Sequence, residues 1–478
     1  MIDDFSSLVI FNIITVILLI FSLISIKKKV NYFAILITTI MWGLIPWPFL
    51  YLNETVKSIL MVSFIRILLS IIGAFIFIFI SVVLTSFYNK KGKWSWFQYS
   101  FQDFKKQITS YLPSSRTSIT KRKSRIPYLF YYFLLGIFYV VSIYFYFQAY
   151  QILGIIFSSI LNTVASMIFV ALWNLSRRLE YMDSIKFSYL SLFIIAGVLT
   201  IMSTPLTINN EASIFGFIAL GMTLIFWVLF IITSGLDDFT AYEKERIVSF
   251  RDKNTNFQLT KSLVKIFFFF ISSLLGLILF ALVIEILPLE NSTIGIEIKN
   301  FLIEFQNFPV IIFNIWTWVL GIESTIIPYI VYFSSQSVSL RNRRSLKWDQ
   351  WVAILAVFEP FTTIFVGFFI GNEGVRFDLT LLTMAVIILS ITMLLRYYHE
   401  KNSLRSIILL KIKPKKWKFL IDRLKYNPNI RELKSITGKY DLLLKTFFQS
   451  NYLLRNFIAE LKKFDSILEM ENFIEFDV

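Results

Sequence analysis

The amino-acid sequence predicts an all-α polytopic membrane bundle followed by a small α+β domain. Hydrophobic residues make up 56% of the chain and charged residues only 16%, which is too apolar for a soluble protein of this length. Uninterrupted apolar runs recur between residues 7 and 397, each near the ~20 residues that a helix needs to cross a bilayer. Beyond Arg396 the chain becomes charged and its apolar runs shorten. We therefore expect the lipid bilayer to be the main partner of the preceding residues.

The spanning helices are predicted from these runs one by one. The first run follows Asp3 and Asp4, where a signal peptide would be basic, and no small-residue cleavage site follows it. It is therefore expected to be an extra N-terminal spanning helix and not a signal peptide. The eleven predicted spans are residues 7–26, 33–52, 59–86, 128–150, 153–174, 188–204, 213–234, 263–287, 309–336, 349–371 and 378–397.

Basic residues in alternate loops predict the orientation of these spans. Lys and Arg concentrate in the loops at 27–29, 88–127, 177–178, 244–253 and 341–347. The opposite loops at 205–212 and 288–308 hold few basic residues. Because Lys and Arg favour the cytoplasmic side, we expect a multi-pass protein of the cell membrane with its N-terminus outside and its C-terminus in the cytoplasm. The net charge of +16 is then explained without nucleic acid.

Catalytic and metal-binding patterns are not found along the chain. There are no cysteines and one histidine, which leaves little for a His/Cys metal site. No Ser-His-Asp set or phosphate-binding glycine loop is recognised. We expect neither an enzyme nor a cofactor nor a bound metal.

Ten of the spans divide into two related groups of five. Residues 158–202 and 352–395 each contain an apolar span, a short loop with a glutamate (Glu180 or Glu373) and a second span. This divides the chain into an extra helix at 1–30 and two five-helix repeats at 31–204 and 205–400. Because five is odd, the second repeat would be inverted in the membrane, which places a binding site near the midplane between the repeats.

Four stretches of these repeats resemble the EamA-like branch of the drug/metabolite transporter superfamily over residues 33–397. They are MWG at 41–43, Arg66, FYFQAYQILG at 145–154 and FEPFTTIFVGFFIGNE at 358–373. The chain departs from the family at Ser166, where proline is usual, and in its extra N-terminal helix. The resemblance implies a ten-helix carrier of small metabolites such as amino acids, often outward, and it does not fix the substrate.

Two charged residues inside the predicted spans are candidate substrate-pathway groups. A charge near the bilayer centre costs roughly 3 kcal/mol on insertion scales. Arg66 lies on a face of small residues, as expected for a helix turned toward the bundle interior; the alternative is an arginine that extends to the outer surface. Glu359 precedes Pro360 and could bind a substrate ammonium or a coupling proton; the alternative is a buried partner for Arg66.

Five further residues complete the predicted pathway. Glu323 is deep in its span but points away from that span's other polar residues on an ideal helix. Both faces of this span can line one cavity only if Pro328 breaks the helix. Gln148 and Asn162 belong to polar stripes, which often serve only helix packing. Trp42 and Trp227 hold similar positions in the two repeats, where pocket lining and packing are equally plausible.

Residues 401–478 predict a ferredoxin-like domain with the element order βαββαβ. The predicted strands and helices are 406–412, 415–426, 430–436, 440–448, 451–464 and 467–476. One face of such a sheet lacks a helical cover, so the domain is expected to pair with a second copy. We therefore expect a homodimer formed through this domain.

Two motifs in this domain resemble the effector-binding domain of Lrp/AsnC regulators over residues 404–478. They are KIKP at 411–414 and SITGKYDLLLK at 435–445. The resemblance implies a dimer that binds amino acids, with Gly438, Tyr440 and Asp441 in the effector site. The alternative is that Gly438 serves only a turn and Asp441 only the fold. The DNA-binding helix-turn-helix that normally precedes this domain is replaced by the membrane bundle, so no nucleic-acid partner is expected.

Taken together, these features predict a secondary transporter, an exporter or exchanger, of small metabolites. Amino acids or their derivatives are the expected substrates, because both resemblances are to proteins that handle them. The cytoplasmic domain would sense an amino acid and regulate transport. The alternative is a membrane-tethered amino-acid receptor without transport activity.

Overall fold

A computed structural model gives the architecture of most of the chain. It describes residues 4–27, 31–89, 109, 127–176, 182, 184–204, 211–234, 255–286, 293–341, 348–397, 404–414, 417–424, 427, 429–448 and 451–475. The basic loops that predict the orientation lie almost entirely outside these residues.

Helices account for all regular structure before residue 400 in the described residues. They are α1 (Asp4–Lys27), α2 (Asn31–Gly43), α3 (Pro46–Asn53), α4 (Ile59–Asn89), α5 (Tyr128–Leu153), α6 (Ile155–Ser176), α7 (Ser184–Ser203), α8 (Glu211–Ser234), α9 (Thr255–Ile286), α10 (Thr293–Gln306), α11 (Phe308–Ile312), α12 (Ile315–Trp318), a π-helical segment (Val319–Ile326), α13 (Ile327–Arg341), α14 (Trp348–Leu355), α15 (Phe358–Phe369) and α16 (Phe377–Arg396).

Ten helical stretches in the described residues are long and apolar enough to cross a membrane. They coincide with ten of the eleven predicted spans, which is consistent with a multi-pass membrane protein. The prediction of one continuous helix over 349–371 was wrong. That segment folds as α14 and α15 with a turn between them. Pro360 lies in the first turn of α15. Backbone N–H groups in a first turn make no hydrogen bond within the helix, so the N–H that proline lacks is not needed there.

Two more predicted spans are interrupted. The span at 33–52 breaks after Gly43, and Pro46 starts α3. The span at 309–336 contains α11, α12, the π-helical segment and α13 in succession. The predicted loop at 288–308 contains the amphipathic helix α10, which has too few apolar residues to cross a bilayer but can lie along the bundle.

The interrupted helices meet in the middle of the bundle. Helix α2 packs against α13, α14 and α15, while α5 packs against α8 and α9. The π-helical segment packs against α4. Side chains such as Phe75, Phe79 and Val198 point outward and are exposed, as expected for residues in contact with lipid tails. The buried core is therefore built around α2, α4 and α5.

The C-terminal segment forms a small α+β domain. Its elements are β1 (Leu404–Ile412), α17 (Trp417–Leu424), β2 (Ile430–Ser435), β3 (Leu442–Phe448), α18 (Asn451–Lys462) and β4 (Ile467–Glu475). The four strands form an antiparallel sheet in the order β2-β3-β1-β4. Leu410 pairs with Leu442 and Met470 across this sheet, and the buried face packs on Leu420 and Phe457. The predicted strands and helices are thus confirmed to within a few residues.

Candidate functional site

A cavity lies among the central helices of the bundle. Its empty space, including the part open to solvent at its mouth, is about 450 Å³. Five of the seven predicted pathway residues line it, from five different helices: Trp42, Arg66, Asn162, Trp227 and Glu359. The remaining lining residues are Ile45, Ser142, Ile143, Tyr146, Phe147, Thr223 and Tyr329.

The helix breaks position two of these groups. Trp42 is the second-last residue of α2, immediately before the break that precedes α3. Glu359 is in the first turn of α15, after the break that follows α14. A carboxylate in the first turn is favoured by the positive end of the helix dipole. The two helix breaks therefore bring the indole of Trp42 and the carboxylate of Glu359 to the same cavity.

The guanidinium of Arg66 is buried and only partly hydrogen-bonded. Its residue is 1% exposed. Nε donates to Oγ1 of Thr325 at 2.6 Å, and Cζ lies 5.4 Å from the ring centroid of Phe147. Nη1 and Nη2 have no hydrogen-bond partner within the protein. The burial of Arg66 excludes the alternative that its side chain extends to the outer surface. Its two Nη groups remain available to donate hydrogen bonds to a ligand.

Glu359 lies in the same cavity without neutralising Arg66. Its Oε1 accepts a hydrogen bond from the hydroxyl of Tyr146 at 3.3 Å. No ion pair joins Glu359 to Arg66, although the structure describes both side chains. The cavity therefore presents a cation and a carboxylate that are separated from each other.

Aromatic rings form much of the remaining wall. The ring of Trp42 lies 6.0 Å from that of Trp227 and 5.4 Å from that of Tyr329. Nε1 of Trp42 and Oδ1 of Asn162 are buried without a hydrogen-bond partner within the protein. One unused donor and one unused acceptor thus add to the two charges.

The other two predicted pathway residues lie outside this cavity. Gln148 is buried on another face of α5, where its Nε2 donates to the hydroxyl of Tyr144 at 3.3 Å. Glu323 is on the face of the π-helical segment that turns toward α1, beside Thr15. The sequence interpretation missed Tyr146, Phe147 and Thr223; of these, Tyr146 and Phe147 lie within the FYFQAYQILG stretch.

Acidic caps fix the start of the two helices that carry Arg66 and Asn162. Oε1 of Glu297 accepts from the backbone N–H of Leu60 at 2.8 Å, near the start of α4. Oε2 of Glu373 accepts from the N–H of Ile156 at 2.9 Å, in the first turn of α6. Burial is the main cause that raises the pKa of both carboxyl groups. Each cap satisfies donors that a helix start leaves unpaired.

The predicted effector residues of the C-terminal domain form a tight turn. Gly438 has φ +126°, a conformation that side chains disfavour. Oδ2 of Asp441 accepts from the N–H of Ile412 at 2.8 Å, and the N–H of Asp441 donates to the carbonyl of Leu410 at 2.9 Å. Tyr440 is buried next to this turn. Gly438 and Asp441 therefore each have a structural role, and their role in effector binding stays a prediction.

The chain matches no family model, and a search of curated proteins finds no significant match.

Proposed function

We propose that this protein is a secondary transporter whose substrates are small zwitterions, most simply amino acids. One observation carries the proposal. A buried cavity holds the unpaired Nη groups of Arg66 and the carboxylate of Glu359, which do not form an ion pair. Buried charges of opposite sign normally pair with each other, so their separation favours a ligand that carries both charges.

The chemistry of the cavity suits an amino acid. The two Nη groups of Arg66 can donate in parallel to a carboxylate. The carboxylate of Glu359 can accept from an ammonium. Nε1 of Trp42 and Oδ1 of Asn162 supply one further donor and acceptor, and the rings of Trp227 and Tyr329 can contact an apolar side chain.

The interrupted helices support a carrier more than a static pocket. Transporters built from inverted repeats commonly place their sites at broken helices near the midplane. Here α2 ends and α15 begins beside the cavity, and the two helices pack against each other. We further propose that the bundle consists of two inverted five-helix repeats. We also propose that it belongs to the EamA-like superfamily, which the motifs at 41–43, 145–154 and 358–373 support.

The C-terminal domain is proposed to be a ferredoxin-like, Lrp/AsnC-type sensor in the cytoplasm. The strand order β2-β3-β1-β4 supports this fold. On the face away from the helices, Ile407 pairs with Phe473 and Leu409 with Leu443, and Phe473 is exposed. This apolar stripe supports a homodimer through the sheet, with an amino acid bound near Gly438 as the regulator.

Counterflow in proteoliposomes tests the transport proposal. Vesicles with the full-length protein are loaded with one amino acid of a panel and diluted into a trace of its labelled form. We expect labelled amino acid to accumulate transiently, and we expect Arg66→Met and Glu359→Gln to abolish this. Asp378→Asn is the matched control, because Asp378 is an exposed carboxylate outside the cavity.

Two outcomes contradict the proposal. Counterflow of no amino acid, together with saturable amino-acid binding to the full-length protein, would identify a membrane-tethered receptor. Counterflow that persists in both Arg66→Met and Glu359→Gln would place the transport site elsewhere.

A further inference from the structure

A second, half-buried carboxylate lies on the other side of the π-helical segment from Arg66. Glu323 belongs to the spanning stretch Ile315–Ser335. Its Oε2 is buried and has no hydrogen-bond partner within the protein. The polar group beside it is the hydroxyl of Thr15 in α1. Thr15 is itself buried, so the extra N-terminal helix covers this carboxylate.

The groups around Glu323 provide no cation to balance a negative charge. The π-helical segment packs against α2, α3, α4, α12 and α13. On α1, which covers Glu323, the charged residues Asp4 and Lys27 lie at the two ends of the helix. On the other helices, the charged side chain within the apolar stretches of the described residues is Arg66, which lines the cavity. Among the tyrosines of these helices, Tyr32 lies against Trp351, Tyr51 against Trp316 and Tyr332 against Trp42, and Tyr329 lines the cavity. A carboxylate in this position is expensive unless a bound cation neutralises it.

We propose that Glu323 and Thr15 form a proton-binding site that couples transport to a proton gradient. One carboxylate and one hydroxyl are too few ligands for Zn²⁺, which takes about four, and for Ca²⁺ or Mg²⁺, which take about six or more. A proton needs only the carboxylate. In the coupled cycle, the Glu323 carboxylate takes a proton from water on one side of the membrane and releases it to water on the other side. The inference rests on the proposed transport function.

The π-helical segment links this site to the substrate cavity. Oγ1 of Thr325 accepts from Arg66 and donates to the carbonyl of Leu320 at 2.7 Å, which is the five-residue spacing of a π-turn. Glu323 lies two residues before Thr325 on the opposite face. A change in charge at Glu323 therefore acts on the same turn that holds the guanidinium of Arg66. Because linkage is reciprocal, substrate binding must also change the proton affinity of Glu323.

The first test measures protonation directly and needs no substrate. Full-length protein in nanodiscs is followed by infrared spectroscopy from about pH 5 to about pH 9, a range that brackets the shifts seen for buried carboxyls. We expect a protonated-carboxyl band that disappears as pH rises. Because the pKa values of Glu297 and Glu373 are also raised, the contribution of Glu323 is measured as the difference between the spectra of the unmodified protein and Glu323→Gln. We expect this difference to contain a titrating carboxyl band, which Glu323→Asp should restore at a shifted midpoint and Asp378→Asn should leave unchanged. A spectrum that does not titrate, or that titrates identically in Glu323→Gln, overturns the assignment.

The second test measures coupling with the amino acid that passes the counterflow assay. With the membrane potential clamped, a gradient of one pH unit should drive up to about tenfold accumulation for one coupled proton, since about 1.4 kcal/mol corresponds to tenfold. Glu323→Gln should retain counterflow but lose this accumulation, and Thr325→Val should weaken it while leaving the infrared titration intact. Accumulation that is unchanged in Glu323→Gln refutes the coupling role. Loss of all counterflow in the unmodified protein instead refutes the transporter proposal, and the infrared result still decides the site.

Discussion

Adding one methyl group at Gly43 should disturb the substrate cavity without touching any of its lining side chains. A Cβ built on Gly43 would lie 2.5 Å from the carbonyl oxygen of Glu359 and 2.6 Å from Cβ of Thr362. To reach the 3.4 Å of an ordinary contact from 2.5 Å, α15 must retreat from α2 by about 0.9 Å. Oγ1 of Thr363, which lies 3.3 Å from the carbonyl of Gly43, would lose that hydrogen bond.

The size of the effect follows from the rigidity of this contact. Overpacking of a tight interface typically costs about 1–3 kcal/mol, and the obstructing atom here belongs to backbone, which cannot rotate away. If the strain is relieved by moving Glu359, substrate affinity in counterflow should fall by roughly 5–150-fold. The assay is the half-saturating concentration of the transported amino acid, together with the melting temperature in detergent.

Gly221→Ala is the matched control for this substitution. A Cβ at Gly221 would meet no atom within 4 Å, and the residue lies inside α8. Alanine there should leave transport unchanged and stabilise the protein by up to about 1 kcal/mol through helix propensity. A Gly43→Ala protein with unaltered affinity and melting temperature would refute the close approach of α2 and α15.

Three further predictions concern the caps and the C-terminal domain. Burial raises the pKa of Glu297 above its ordinary 4.5. The stability that this shift contributes is therefore complete below pH 4.5 and is lost as pH rises through the raised pKa. In Glu297→Gln, the melting temperature should no longer depend on pH in this range. Phe457→Ala should cost about 3–5 kcal/mol, since Phe457 is buried, and should make the C-terminal domain sensitive to proteolysis while the bundle stays intact. Asp441→Ala should destabilise the domain by about 1.5–3 kcal/mol by removing the acceptor of the Ile412 N–H. Unchanged protection in hydrogen exchange would refute this structural role of the aspartate.

Composition and periodicity were sufficient to predict the positions of ten apolar helical stretches and the strands and helices of the C-terminal domain. Ten apolar runs became helical stretches long enough to cross a membrane, because each must satisfy its backbone hydrogen bonds internally in lipid. In the C-terminal domain, alternating apolar residues such as Ile408, Leu410 and Ile412 are buried on one face of β1, as a period of two requires. Helix interruptions were not predicted, because an apolar run gives the same hydropathy whether it is straight or broken. Pro46 and Pro360 were the local signals at two of them.

The cavity was predictable in its charges but not in its geometry. Arg66 and Glu359 are conspicuous because charges in apolar spans are rare. Their separation depends on tertiary contacts that no local pattern encodes, such as the hydrogen bond from Arg66 to Thr325. The missed residues Tyr146 and Phe147 lie within the FYFQAYQILG stretch, but their residue type alone does not distinguish them from the packing residues of an aromatic helix.

The π-helical segment carries two polar residues that face different sites. At about 100° per residue, Glu323 and Thr325 would already be separated by about 200°. In the structure, Thr325 contacts Arg66 and Glu323 lies beside Thr15 of α1. The bond from Oγ1 of Thr325 to the carbonyl of Leu320 holds the side chain of Thr325 within the π-helical segment. The extra N-terminal helix gains a role in this arrangement, because it covers the second carboxylate and supplies the hydroxyl beside it.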